Sequence, residues 1–135
     1  MRRYFVDTWY LIALSDRFDA NHGLALRIEP ITRGRELVTH EAVLTEYLTF
    51  LADAGPMMRQ TAVRRVRGIL EQPQWTVARS SDLFSFALDL YSRRLDKAYS
   101  LVDCMSMVLM RAESITHVLT NDHHFRQEGF TVVNE

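Results

Sequence analysis

Five short β-prone runs alternate with helical stretches along this chain, and that alternation limits the available folds more than any other feature. The runs are Tyr4-Phe5-Val6, Glu36-Leu37-Val38, Trp75-Thr76-Val77-Ala78, His117-Val118-Leu119-Thr120 and Phe130-Thr131-Val132-Val133. After the first run, Trp9, Leu11, Ile12 and Leu14 suggest a helix, and Leu24 to Ile31 continue at helical spacing until Arg33-Gly34-Arg35 breaks it. Thr39 reads as the N-cap of a helix carrying Ala42, Val43, Leu44, Tyr47, Leu48, Phe50 and Leu51, which stops near Gly55-Pro56. Further helices are predicted from about Met57 to Glu71, from Ser81 through Leu95, and from Leu101 to Ala112 behind Ser100; a short turn-helix covers Asp122 to Glu128. Strands joined through helices require right-handed crossovers. The pattern therefore predicts an α/β fold, a three-layer α/β/α sandwich with a mainly parallel sheet of about five strands. No linker, repeat or low-complexity tract interrupts the 135 residues, so residues 1–135 are expected to form a single domain.

Charge and composition narrow the function classes. A net charge of -1 makes the whole molecule no magnet for polyanions, so any nucleic-acid site must be local. The basic set is fifteen Arg and one Lys, Lys97, a bias that fits phosphate partners and that a GC-rich genome would also produce. The single cysteine, Cys104, excludes an internal disulfide and makes a reducing compartment the simpler assumption. Met1-Arg2-Arg3 and the apolar run behind it resemble a signal peptide, but Asp7 interrupts that run and no small-residue cleavage pattern follows. No apolar stretch approaches the ~20 residues a membrane span needs, so a cytoplasmic protein without membrane contact is expected.

The chemistry points to acids. In open parallel sheets ligands bind at the carboxyl ends of the strands, and Asp7 and Asp122 stand where the first and fourth strands stop. Each could equally be a turn former or helix cap. Asp103 is the only charge between Leu101 and Met110; Ser100-x-x-Asp103 has the form of a capping box, and a carboxylate at a buried helix start can serve both as cap and as metal ligand. Glu46 lies mid-helix among Ala42, Val43 and Phe50 and is expected to point inward, which is costly unless it is paired or bound to a cation. Two carboxylates ~5 Å apart repel by roughly 3 kcal/mol at an effective dielectric of 20, so four acids gathered together would call for a divalent ion. With the hydroxyls of Thr8, Ser100 and Thr120 nearby, an all-oxygen set suits Mg²⁺ or Mn²⁺ better than zinc.

These blocks carry a resemblance. Val6-Asp7-Thr8 with Leu11-Ile12-Ala13-Leu14, Thr45-Glu46-Tyr47-Leu48, Asp96-Lys97-x-x-Ser100-Leu101-Val102-Asp103-Cys104, and Thr120-x-Asp122-x-His124-Phe125 with Gly129-Phe130 together resemble a PIN domain of the VapC toxin type. The two C-terminal blocks are the more specific. The resemblance implies a Mg²⁺- or Mn²⁺-dependent endoribonuclease that leaves a 5′-phosphate and a 3′-hydroxyl. It also implies a homodimer, often held inactive by a small antitoxin encoded alongside. It puts the catalytic, metal-holding acids at Asp7, Glu46, Asp103 and Asp122, and supporting hydroxyls at Thr8, Ser100 and Thr120. Asp96, seven residues before Asp103, also fits the pattern, though a cap or an ion pair would explain it equally well. Asn121 fills a variable spacer, and the Arg59–Arg67 stretch lies outside the motif.

Other constellations are weaker. Adjacent His123 and His124 face different directions and lack further zinc ligands, so they read as surface residues at a helix start. Cys104 has no basic neighbour in sequence and reads as an inert buried thiol, and the methionines read as core filler, with Met57-Met58 at a possible subunit or partner contact. No Gly-x-Ser-x-Gly elbow or phosphate-cradling glycine loop is present. Two functions compete with the nuclease: a PIN-fold RNA- or protein-binding module that does not cut, and a phosphatase using Asp7 as nucleophile. The second wants another Asp two residues on, where Trp9 stands.

Overall fold

A computed structural model of the chain describes residues 2–133. The elements run β1 (Tyr4–Val6), α1 (Thr8–Ser15), α2 (His22–Thr32), β2 (Leu37–His40), α3 (Glu41–Phe50), α4 (Pro56–Glu71), β3 (Trp75–Ala78), α5 (Ser80–Arg93), α6 (Leu101–Ala112), β4 (His117–Leu119), α7 (His124–Gln127) and β5 (Thr131–Val132). The strands form one sheet in the order β3-β2-β1-β4-β5, every neighbouring pair parallel.

That order explains the layers. From β1 the chain steps outward to β2 and β3, then returns across the sheet to lay β4 on the other side of β1 and β5 beyond it. With every crossover right-handed, the reversal sends α1–α4 to one face and α5–α7 to the opposite face. The packing agrees, since α1 lies against α2, α3 and α4, while α5 and α6 pair with each other. The predicted three-layer α/β fold is the one observed. Tyr4, Phe5 and Val6 of central β1 are all buried, as a strand covered on both faces must be. Around them Val38, Tyr47, Met107, Met110, Leu119 and Phe125 close the core.

Local departures have physical causes. Thr39 does not cap α3: it is the third residue of β2, and its hydroxyl donates to the Val6 carbonyl at 2.9 Å, tying β2 to β1 at the strand ends. His40 occupies the cap position instead. The fourth strand ends at Leu119, one residue early, which frees Thr120 for side-chain work. The fifth is only Thr131–Val132, an edge strand paired to β4 alone, and Phe130 packs on the Phe125 ring at 6.4 Å rather than joining it. The break after α2 is real, with Gly34 at φ +71°, a backbone state that glycine adopts without steric cost. Among the described residues, no helix is long and apolar enough to cross a membrane.

Candidate active site

The sheet reverses its winding between β1 and β4, and the carboxyl ends of strands flanking such a reversal open into a crevice. Asp7 follows β1, and Thr120-Asn121-Asp122 follow β4, so both enter that crevice from adjacent strands. Their backbones are joined where the strands end, the Asp7 amide donating to the Leu119 carbonyl at 3.3 Å.

Asp7 occupies the cap position of α1, yet its side chain caps nothing. Its carboxylate instead accepts the Thr120 hydroxyl at 2.7 Å, and Thr120, fully buried, also accepts the Asp122 amide at 3.1 Å. One hydroxyl therefore holds one acid and the backbone of the next. Burial pushes the Asp7 carboxyl up to about 7; the Thr120 hydroxyl and the Thr8 amide oppose the rise, and the nearby Asp103 and Glu46 charges add to it.

Asp103 enters from the N-terminus of α6, and both halves of the predicted capping box are present. Its amide donates to Ser100 Oγ at 3.0 Å and its Oδ2 accepts the Ser100 amide at 3.0 Å. The box fixes the carboxylate without exhausting its lone pairs. Burial first, and Asp122 next to it, raise the Asp103 carboxyl, while the Ser100 bonds and His124 pull the other way. One oxygen each of Asp103 and Asp122 and one ring nitrogen of His124 all lie within 4.8 Å of one another.

The His124 position corrects the sequence reading of a surface residue. Its side chain is 21 % exposed, and its Nδ1 stands 3.1 Å from Asp122 Oδ1 and 3.8 Å from Asp103 Oδ2. The Asp122 side chain reaches forward to accept the His124 amide at 2.9 Å, so the α7 start is shaped around the acid and the imidazole turns back into the crevice. His123 is the exposed member of the pair. The signal that could have found His124 is its spacing: a residue two after an acid that forms an Asx turn is carried back over that acid.

Glu46 also departs from expectation. Val43, Leu44 and Tyr47 form the buried stripe of α3, and Glu46 stands on its flank, exposed at the rim rather than turned inward. Its Oε1 accepts the Thr8 hydroxyl at 2.6 Å, which brings it to the Asp7 side of the crevice. Asp96 lies apart from the cluster: its side chain is 77 % exposed and its ionic partner is Lys97, at 3.6 Å. The Arg59–Arg67 stretch lies on α4, in the other helical layer from α6 and α7, where Arg59 donates to the Ala52 carbonyl.

The chemistry of this donor set fits a divalent cation. Asp7, Asp103 and Asp122 come from three separate elements; the Asp103 charge raises the Asp7 carboxyl and the Asp122 charge raises that of Asp103, an effect a cation between them would reverse. His124 Nδ1 is buried and faces both carboxylates without meeting hydrogen-bond geometry to either, so a nitrogen that could serve as a metal ligand lies among the oxygens.

Residues 4–130 match the PIN domain family. The chain belongs to that family and, by a likeness along its whole length, to its VapC-type toxin endoribonucleases. It is 30% identical over 137 residues to the 23S rRNA-specific endonuclease VapC20 of Mycobacterium tuberculosis, in both strain CDC 1551 / Oshkosh and strain H37Rv, covering 96% of this chain and 96% of each relative. The crystal structure of M. tuberculosis VapC20, a sarcin-ricin loop cleaving toxin, matches with a TM-score of 0.85 at 28% identity, covering 98% of this chain and 99% of that one.

Proposed function

We propose that residues 1–135 act as one PIN domain that hydrolyses RNA with Mg²⁺ or Mn²⁺ held by Asp7, Glu46, Asp103 and Asp122. The observation that carries this reading is the convergence at the β1/β4 reversal: Thr120 locks Asp7 and the Asp122 backbone together, and the α6 capping box delivers Asp103 to the same crevice. A non-cutting binding module has no use for carboxylates gathered against their own repulsion.

In this mechanism Asp7, Asp103 and Asp122 would hold the cation together with Glu46, which Thr8 steadies at the rim. Ser100 and Thr120 fix the orientation of the acids they touch. The chemistry a bound divalent ion supplies is polarisation of the phosphoryl oxygens and activation of a water for in-line attack. Asp7 reaches its charged form by losing the proton that burial favours. Arginines at the rim would hold the RNA backbone without reading its sequence.

By its likeness to VapC20, a structured loop of large-subunit ribosomal RNA is the substrate to try first. A cytoplasmic homodimer restrained by a cognate antitoxin completes the reading, the antitoxin closing the acidic crevice with a basic side chain.

The test is cleavage of ribosomal and mixed RNA by purified protein with Mg²⁺ or Mn²⁺, with chelator and Asp103→Asn as controls. The carboxamide introduced by that substitution still offers an oxygen to the Ser100 amide, so the variant should fold while losing cutting. Equal cutting by the variant, or cutting that survives chelation, would sink the nuclease assignment of these acids. RNA binding without any cutting would leave the module reading.

A further inference from the structure

Among the four acids and their neighbours, the tightest group of donors includes a residue that is not an acid. We propose that His124 supplies a nitrogen ligand to the divalent ion through Nδ1, beside Asp103 and Asp122, giving the centre a preference for Mn²⁺ over Mg²⁺. This rests on the metal-dependent nuclease reading.

The spacing supports it. Two donors each about 2.1 Å from one octahedral ion stand about 3 Å apart when adjacent and about 4.2 Å apart when opposite. The Nδ1 separations of 3.1 Å from Asp122 and 3.8 Å from Asp103 fall within that range. The 3.1 Å approach does not form a hydrogen bond, and Nδ1 is buried without any other partner. Nδ1 thus stands close to both carboxylates without meeting hydrogen-bond geometry to either.

The ring is also held in place. The Tyr99 ring meets it edge-on at a centroid separation of 5.3 Å, and the Tyr99 hydroxyl is anchored on Glu128 at 3.1 Å. The His124 amide is fixed by Asp122. An imidazole among carboxylates moves an oxygen site toward transition-series ions, since Mg²⁺ gains little from nitrogen.

The test uses tag-free protein and Mn²⁺ itself. Loss of the free Mn²⁺ electron paramagnetic resonance signal measures affinity, and pulsed measurements on the bound ion read ¹⁴N modulation from an attached imidazole. The modulation is expected in the unaltered protein and in His123→Asn, and absent in His124→Asn. The latter should also bind Mn²⁺ at least about tenfold more weakly while its affinity for Mg²⁺, read by competition, changes far less. Bound Mn²⁺ with no imidazole modulation in the unaltered protein overturns the proposal and leaves the nuclease reading standing. Failure to bind Mn²⁺ overturns the proposal, and failure to bind Mg²⁺ as well, read by calorimetry, overturns the nuclease reading too.

Discussion

Thr120 donates its hydroxyl to Asp7 Oδ2 at 2.7 Å across 113 positions of sequence, and the same hydroxyl oxygen accepts the Asp122 amide at 3.1 Å. Thr120→Val keeps the shape and removes both bonds. It should weaken divalent-ion binding by about 10- to 100-fold and lower stability by about 1–3 kcal/mol, because a buried acceptor and a part-buried amide lose their partner. Calorimetric titration with Mn²⁺ and urea unfolding read the two effects, and Thr120→Ser should restore most of both. Unaltered ion affinity in the valine variant would show that this hydroxyl does not organise the site.

The pH dependence of the metal-free protein separates Asp7 from His40. Asp7 is pushed from 3.8 up to about 7 by burial, so between those values the folded protein keeps a proton the unfolded chain has released, and stability falls as pH rises. Buried His40, bonded through Nε2 to Ser106 Oγ at 2.9 Å, is pushed from 6.5 down to about 4 by the same cause. In that window the unfolded chain gains a proton the folded one refuses, and stability falls as pH drops. The two slopes, each about 1.4 kcal/mol per unit, oppose each other. Asp7→Asn should therefore unmask stability that rises from pH 4 to 6.5, and His40→Asn stability that falls from pH 4 to 7. Urea denaturation across that range in chelator is the measurement; superimposable profiles for the three proteins would refute the assignment.

Ser100→Ala removes the side-chain half of the α6 cap. A loss of about 1 kcal/mol in stability is expected. The Ser100 hydroxyl also favours the charged form of Asp103, so its removal should raise that carboxyl further and weaken ion binding more at lower pH than at higher pH. Ion affinity reduced by the same factor at every pH would assign the serine a purely structural part.

Glu128 is a hub on the far side of α7. Its side chain, 5 % exposed, accepts Arg94 at 3.0 and 3.2 Å, Arg111 at 3.1 Å and the Tyr99 hydroxyl at 3.1 Å. Burial alone would raise this carboxyl, but the three donors outweigh it and hold it below the usual range. Glu128→Gln should cost about 1–3 kcal/mol, less than a fully buried pair because both arginines are partly exposed. The cost should be non-additive with Arg94→Ala in a double-mutant cycle. Additive losses would mean the hub is several independent contacts.

Much of the fold is legible in the sequence because each strand is short, apolar and followed by an amphipathic or buried helix. Asp7 and Asp122 can be placed at strand ends, and the Ser100-Asp103 box can be read from spacing, because those are local rules. Strand order is not local. Nothing in the sequence around Asp7 says that β4, rather than β2 alone, lies beside β1, and the Thr120 bridge follows only from that pairing. The apolar neighbours of Glu46 predict an inward side chain, yet a rotation of one position along α3 leaves it on the flank. His124 escapes the sequence for a related reason: the turn that folds it back over Asp122 depends on where β4 ends, one residue earlier than the run of apolar residues suggests.

The order of the sheet also sets when this molecule becomes dangerous. Asp7, Glu46 and Asp103 are translated before Thr120 and Asp122, and β1 cannot acquire its second neighbour until β4 has been made. A polypeptide in which β4 has not yet been made thus holds these acids scattered, with neither Thr120 nor Asp122 beside Asp7. What the earliest strand begins, only the late one slotting in beside it completes.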